Sequence, residues 1–319
     1  MNESSGKPAR LSIVLAFLSL YFCWSATYTA MRVGVELLPA TVLAGVRLIL
    51  SAAIMLAFCA LRGRRVFYPR NVMASLALLG VMLLFGGNIG LVWSENYLPS
   101  GLAALIAAVI PLYVVLIESA VPNGDRLRAQ GYFGLGLGLC ALIALLWPSL
   151  RIGIEGHPMQ ILAITAILVG AFSFASGSVL SRRIKLPVDP LVAAGWEMCA
   201  AGVVNILLAT LTWRWPHATW NVRSVGCVGY LIFFGSLIGF NCYIWLIAHV
   251  PVSKVATYAY VNPMIAVLLG AALLHEKLAP TEYVGMVAII ISVALVTSSR
   301  LSSGKQAAEI ECAAIESEA

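Results

Sequence analysis

Ten long apolar runs divide the sequence, over residues 12–31, 38–60, 72–94, 98–118, 130–148, 160–181, 188–211, 225–247, 251–273 and 282–299. Each is long enough to cross a hydrocarbon layer of roughly 30 Å at about 1.5 Å per residue. Polar residues collect in the short connections, which leave no room for an independent soluble domain. Lipid offers no water to backbone N–H and C=O groups, so these runs are predicted to be helices. Polar tails precede Leu11 and follow Arg300. The first run, preceded by Lys7 and Arg10, resembles a signal peptide but is too long for one.

The first run also has a counterpart deep in the chain. Trp24-Ser25-Ala26 through Arg32 aligns with Phe174-Ala175-Ser176 through Arg182 at an offset of 150. At the same offset Ala44-Gly45-Val46-Arg47 faces Ala194-Gly195-Trp196-Glu197. Trp93, Pro99 and Pro111 coincide with Trp245, Pro251 and Pro263 at 152, and Asp125-Arg126-Leu127 with Glu276-Lys277-Leu278 at 151. Apolar helices align with one another too easily to count, whereas rare residues at constant spacing argue for duplication. The expected organisation is a first five-helix repeat over 1–149, a second over 150–300 and a polar tail over 301–319.

An odd number of helices per repeat forces opposite topologies on the two halves. With the N-terminus inside, inner segments carry fourteen Lys and Arg residues against five outside, Arg47 lying within a helix. This bias follows the positive-inside rule and predicts both termini in the cytoplasm. Trp213, Trp215 and Trp220 then fall in an outer loop, where an aromatic belt belongs. The predicted fold class is an all-α integral membrane protein of ten transmembrane helices, arranged as two inverted five-helix repeats.

Composition agrees: 61% of residues are hydrophobic and 11% charged, with mean hydropathy +0.93. Soluble domains carry roughly 25% charged residues. The net charge of +6 forms no stripe interleaved with aromatics, so nucleic acid is not an expected partner. Seven scattered cysteines without a C-x-x-C pair suggest neither a disulfide framework nor a metal site. A G-x-x-x-x-G-K-[ST] loop, an H-E-x-x-H pair and a G-x-S-x-G elbow are all missing, which argues against ATP hydrolysis, metalloprotease and serine-hydrolase chemistry of those kinds. No enzyme activity and no cofactor are expected. Transport through a cavity with a few polar groups at mid-depth remains.

Those groups can be weighed singly. Arg47 and Glu197 occupy one repeat position near the middle of their helices, where a charge costs at least ~2.5–3.5 kcal/mol. They either bind solute or relay a proton, or else pin helix packing; opposite signs also allow a mutual ion pair. Trp24 and Tyr28 share one helix face and form either an aromatic wall for solute or ordinary packing. Asn88 follows Phe85-Gly86-Gly87 and Asn241 follows Gly239, an amide in each half for polar contact or helix adhesion. Tyr258 and Asn262 stand just before Pro263. Glu95, at the outer end of the third run, is expected to be solvated.

Pro111 and Pro263 each fall about twelve residues into their runs. An interior proline removes a backbone bond and kinks the helix. The two kinks are expected to act as hinges or to free carbonyls for solute, against the alternative that they only shape packing. Gly134 and Gly138 form a G-x-x-x-G pair suited to packing within the fold or in a homodimer.

Trp24-Ser25-Ala26-Thr27-Tyr28 with Arg32 and Gly34 resembles the opening motif of the EamA branch of the drug/metabolite transporter superfamily. The stretch Tyr258-Ala259-Tyr260-Val261-Asn262-Pro263, then Glu276-Lys277-Leu278 and Gly285, is similar to that family's helix nine to ten segment. The resemblance covers roughly residues 12–299. It implies a ten-helix carrier of the bacterial inner membrane exporting metabolites, amino acids or toxic compounds. The implied central cavity is lined by helices one, three, four, six, eight and nine, with five and ten peripheral. Glu197, standing where the first half has Arg47, departs from a symmetric role.

The expectation is a secondary transporter working by alternating access. Trp24, Tyr28, Asn88, Asn241, Tyr258 and Asn262 are its expected solute contacts, Arg47 and Glu197 its intramembrane charges, and Pro111 and Pro263 its hinges. Expected partners are a small solute, protons as coupling ion through Glu197, and the bilayer. A passive facilitator and a lipid-handling protein are the rival readings.

Overall fold

The computed structural model describes residues 10–121, 129–154, 158–184, 186–250, 258–276, 280, 283–292 and 294–295. The described residues are almost all helical, with no strand among them. In chain order the helices are α1 (Arg10–Val35), α2 (Ala40–Leu61), α3 (Arg70–Ser94) and α4 (Ser100–Ala120). They continue with α5 (Ala129–Ile154), α6 (Pro158–Arg183) and α7 (Pro190–Leu211). The eighth, α8, runs through Val222–Tyr230, Leu231–Gly239 and Phe240–His249, followed by α9 (Tyr258–Leu274) and α10 (Tyr283–Ser292). Among the described residues, seven helices are long and apolar enough to cross a membrane. Large side chains such as Phe22, Phe58, Phe133 and Leu207 face outward. An apolar exterior of that extent suits lipid as its solvent and makes this a multi-pass membrane protein.

Local chemistry sets the helix starts. Pro39, Pro69 and Pro99 stand just before α2, α3 and α4, and Pro190 opens α7. A first-turn N–H has no intrahelical partner, so proline loses nothing there. Asp189 caps α7 by accepting from the Leu191 N–H at 2.9 Å, and Asn221 with Ser224 forms a reciprocal capping box on α8. Gly63, at φ +70°, ends α2 in the left-handed conformation that side chains avoid.

Three of the described helices are irregular inside. Val81–Gly86 in α3 and Leu231–Gly239 in α8 are wide π-type turns. The α4 helix breaks at Ala108 and Val109: the Ala108 N–H is shared between the Ala104 and Leu105 carbonyls at 3.1 and 3.3 Å, and the Val109 N–H bonds back three residues to Ile106 at 3.1 Å. Pro111 then sits in the first turn of the next segment, Ile110–Ala120. Pro263, by contrast, lies inside a continuous helix. The two prolines therefore differ: one follows a break and starts a segment anew, while the other is carried within unbroken α9.

Glycines set the α2–α7 contact. A Cβ on Gly45 would meet Ile206, on Gly202 Ile49, and on Gly195 Leu56. Numbers rise along one helix as they fall along the other, so the pair is antiparallel. Arg47 thus lies level with the region around residue 204 and Glu197 with the region around 54, roughly 10 Å apart along the axes. In place of the mutual ion pair open from sequence, Arg47 takes Asn88 as its partner. Gly134 and Gly138 pack α5 on α10: Ser292 donates to the Gly134 carbonyl at 2.6 Å and its side chain lies against Gly138.

Candidate functional site

The site is built on one stripe of α1, where Trp24, Tyr28 and Arg32 recur every fourth residue and share a face. The Trp24 ring packs on Gly239 of α8, where even a Cβ would collide, and its Nε1–H donates to the Gly235 carbonyl at 3.0 Å. Both glycines belong to the wide turn. Such turns displace backbone from regular register and recur at functional sites. The indole meets Tyr258 of α9 edge-on at 5.2 Å and Tyr243 of α8 tilted at 5.4 Å, while the two tyrosines cross at 5.9 Å. Beside them the Ser25 hydroxyl donates to the Tyr21 carbonyl of its own helix at 2.5 Å and lies 3.3 Å from Asn262 Oδ1, with Ser25 and Asn262 both buried. Three aromatic faces and a buried hydroxyl–amide pair thus converge from α1, α8 and α9.

A second polar group lies along the same stripe. Arg47 of α2, 6% exposed, donates from Nη2 to Asn88 Oδ1 at 2.9 Å and sets Nη1 3.8 Å from Met31 Sδ. A buried guanidinium without an acceptor would be costly, so Asn88 compensates it. The Arg47 charge lies within electrostatic reach of Glu95, and so does Tyr28. Tyr28 also senses Tyr258, so it stands between the aromatic cluster and the charged one.

Glu95 overturns its expectation. It is wholly buried instead of solvated, and both carboxyl oxygens are without a hydrogen-bond partner among the described residues. The short α3–α4 connection folds under α1, whose Arg32 Nη1 donates to the Glu95 backbone carbonyl. Glu276, just past α9, supplies the matching tie. Its carboxylate accepts the Ser100 N–H and Oγ–H at 2.8 Å each and the Gly101 N–H at 3.2 Å. Charge and the free amides of a helix N-terminus reinforce one another there. Arg32 and Glu276 also line a cavity of about 340 Å³ with Glu36, Asn96, Tyr97 and Pro99.

Two ion pairs of the described residues lie at the opposite end of the bundle. Arg182 of α6 meets Glu118 of α4 at 2.9 Å, and Arg64 meets Asp189 at 2.7 Å. Arg32 and Arg182, matched by the sequence repeat, therefore work at opposite ends on different kinds of acceptor.

Of the residues singled out from sequence, Trp24, Tyr28, Tyr258 and Asn262 come together, and Arg47 joins Asn88. Asn241 does not join either group: it is exposed and bonds the Leu237 carbonyl of its own helix at 2.5 Å. Glu197 is half-buried, its backbone pressed on Gly80 of α3, where only a glycine gives room. Sequence reasoning missed Tyr243, Ser25, Glu95 and Glu276 as neighbours of the site. A carboxylate directly after an apolar run was the one available signal for Glu95. Lys277 and Asp125 lie outside the described residues.

Comparison with known proteins extends this picture. The profile of the EamA-like transporter family matches the chain twice, over residues 11–147 and 161–298. The Escherichia coli protein named "uncharacterized inner membrane transporter YedA" is 36% identical over 283 residues, covering 88% of this chain and 89% of that one. A "probable amino-acid metabolite efflux pump" of the same species is 23% identical over 308 residues, covering 91% and 93%. One solved crystal structure superimposes with a TM-score of 0.63 over 92% of this chain and 99% of its own, at 22% identity, a likeness of fold. With the family profile matched across nearly the whole sequence, the chain belongs to the EamA-like transporter family and is a membrane transporter, not an enzyme.

Proposed function

We propose that this protein is a secondary transporter that exports small organic metabolites across the bacterial inner membrane by alternating access. The carrying observation is the meeting of Trp24, Tyr243 and Tyr258 with the Ser25–Asn262 pair beside the wide turn of α8. Polar atoms buried between membrane helices are costly unless they serve one another or a ligand. Tyr28, Asn88 and Arg47 extend the solute contact toward Glu95, giving a site with aromatic faces at one end and charge at the other. Amino acids and related compounds suit such a site, because they combine an apolar side chain with charged groups. The relative named as an amino-acid metabolite efflux pump supports that substrate class.

In this reading ten helices form two inverted five-helix repeats, 1–149 and 150–300, with both termini cytoplasmic. The double family match supports the duplication. The antiparallel α2–α7 seam supports the inversion, since Gly45 on Ile206 becomes Gly195 on Leu56 when 150 is added to one number and taken from the other. The halves rock about that seam, with the α4 break before Pro111 and the Pro263 position of α9 as hinges. Arg32 and Glu276 hold the outer end in this conformation, and Arg182–Glu118 the inner.

The test is efflux from proteoliposomes loaded with a mixed metabolite extract and read by mass spectrometry against protein-free vesicles. Selective loss of a few solutes, with saturation and counterflow, is the expected result. Flux without saturation or counterflow would mean a passive facilitator. Loss of no solute from correctly folded protein would overturn the carrier reading.

A further inference from the structure

The observation that the solute site leaves unexplained is the Glu95 carboxyl. It is 0% exposed and its carboxyl has no hydrogen-bond partner among the described residues, yet its own backbone carbonyl holds Arg32. A carboxylate in that position carries a large desolvation cost with no hydrogen bond from a described residue to offset it, and the protonated acid carries far less. The groups facing it are few. From α1 come Arg32 and Tyr28, from α2 Arg47, and from the end of α9 Glu276. Glu276 is already committed to the α4 N-terminus by three donors, and Arg47 bonds Asn88 through Nη2 while its Nε has no partner among the described residues. Arg32 is therefore the cation best placed to turn to a charged Glu95, since it already lies on the same residue. Asn96 and Tyr97, the next two residues, line the 340 Å³ cavity with Arg32, so polar space lies beside the residues that follow Glu95.

We infer that Glu95 is the proton-carrying group of the transport cycle and Arg32 the partner of its charged form. In the conformation described here the acid is neutral and Arg32 holds the Glu95 carbonyl, keeping α1 on the α3–α4 connection. When the acid gives its proton to water in the cavity, the carboxylate draws the guanidinium from the carbonyl to itself, and the latch between α1 and α3 changes form. Protonation and the closure of one end are thereby one event. The inference rests on the transporter reading for its consequence, but the proton site itself can be observed without any solute.

The experiment is infrared difference spectroscopy of the full-length protein reconstituted in liposomes, stepped from low to high pH in H2O and D2O. The wild type is expected to lose a protonated-carboxyl band, shifted in D2O, as pH rises. Glu95→Gln removes one component of this band, which Glu197→Gln keeps. Arg32→Gln, which leaves the carboxyl in place, moves the midpoint up by about 1–3 pH units, because the charged form loses its cation. If Glu95→Gln retains the full band, or the wild type has none, the inference is overturned. If Glu95→Gln does not fold, Arg32→Gln decides, and an unmoved midpoint overturns it. A present band with no solute efflux would break the transport reading and leave the proton site standing.

Discussion

Two regions of this molecule use the same backbone device for different chemistry. In one, α1 packs on the wide turn of α8, with the Trp24 ring on Gly239. In the other, α6 packs on the wide turn of α3, with the Phe174 ring on Gly87 and the Ser173 hydroxyl donating to the Met82 carbonyl at 2.8 Å. The repeat offset relates these residues, but the side chains around them diverge. Ser25, Tyr243, Tyr258 and Asn262 have as counterparts Ala175, Leu91, Ile106 and Ile110. Ala175 and Ile106 are fully buried, whereas Trp24, Tyr243 and Tyr258 are only partly so. One arm is a packed apolar wall and the other a polar, aromatic surface that is only partly buried. The same wide-turn backbone thus appears twice, and the side chains packed on it differ between the two arms.

That contrast can be broken at either arm. The largest expected effect is Trp24→Ala, which removes the ring facing both tyrosines and the bond to Gly235. Transport efficiency, kcat/KM per folded protein in proteoliposomes, should fall at least tenfold, since about 1.4 kcal/mol is enough for that and stacking plus the hydrogen bond exceed it. An unchanged kcat/KM would remove the α1–α8–α9 arm from the solute site.

On the apolar arm, Ile106→Ala should cost about 2–5 kcal/mol of stability through the cavity it leaves, while the folded fraction keeps its KM. Denaturant unfolding in detergent and transport on the same preparation would check the split. A raised KM with unchanged stability would mean that this arm also meets the solute.

Next in size is the charged end of the site. Asn88→Leu leaves the Arg47 guanidinium buried without its acceptor, and should destabilise the protein by about 1.5–3 kcal/mol. Arg47→Met removes the charge together with its need for a partner and should cost less. Thermal denaturation of both variants and the double variant measures the coupling. Equal costs would mean that the 2.9 Å contact contributes little.

The smallest effect is expected at the tie between α9 and α4. Glu276→Gln keeps an acceptor for Ser100 but loses the charge at the helix N-terminus, worth about 0.3–1 kcal/mol. A small fall in Tm that shrinks in high salt would fit. A loss above about 2 kcal/mol would show Glu276 to be structural in a larger sense.

Much of this was legible in the chain itself. Apolar runs of membrane length specify helices wherever lipid replaces water, because the backbone has no other way to satisfy its polar groups. Prolines and capping residues mark the helix starts, and rare residues at constant spacing reveal the duplication. The α1 stripe follows from a four-residue spacing, and so do Trp24, Tyr28, Tyr258 and Asn262 as residues of interest. Asn88 was legible as a polar residue at mid-depth, but not as the partner of Arg47.

What only the tertiary structure decided is where side chains meet and which backbone departs from regular helix. The wide turns of α3 and α8 are not written in hydropathy, because a glycine-rich apolar run suits a π turn and an α turn alike. Arg47 and Glu197 match in sequence but lie at different levels, since an antiparallel pair aligns residues in opposite order. Glu95 looks solvated at the end of a helix, yet α1 covers it. Burial of that kind depends on what packs over a residue, which no pattern local to the residue encodes.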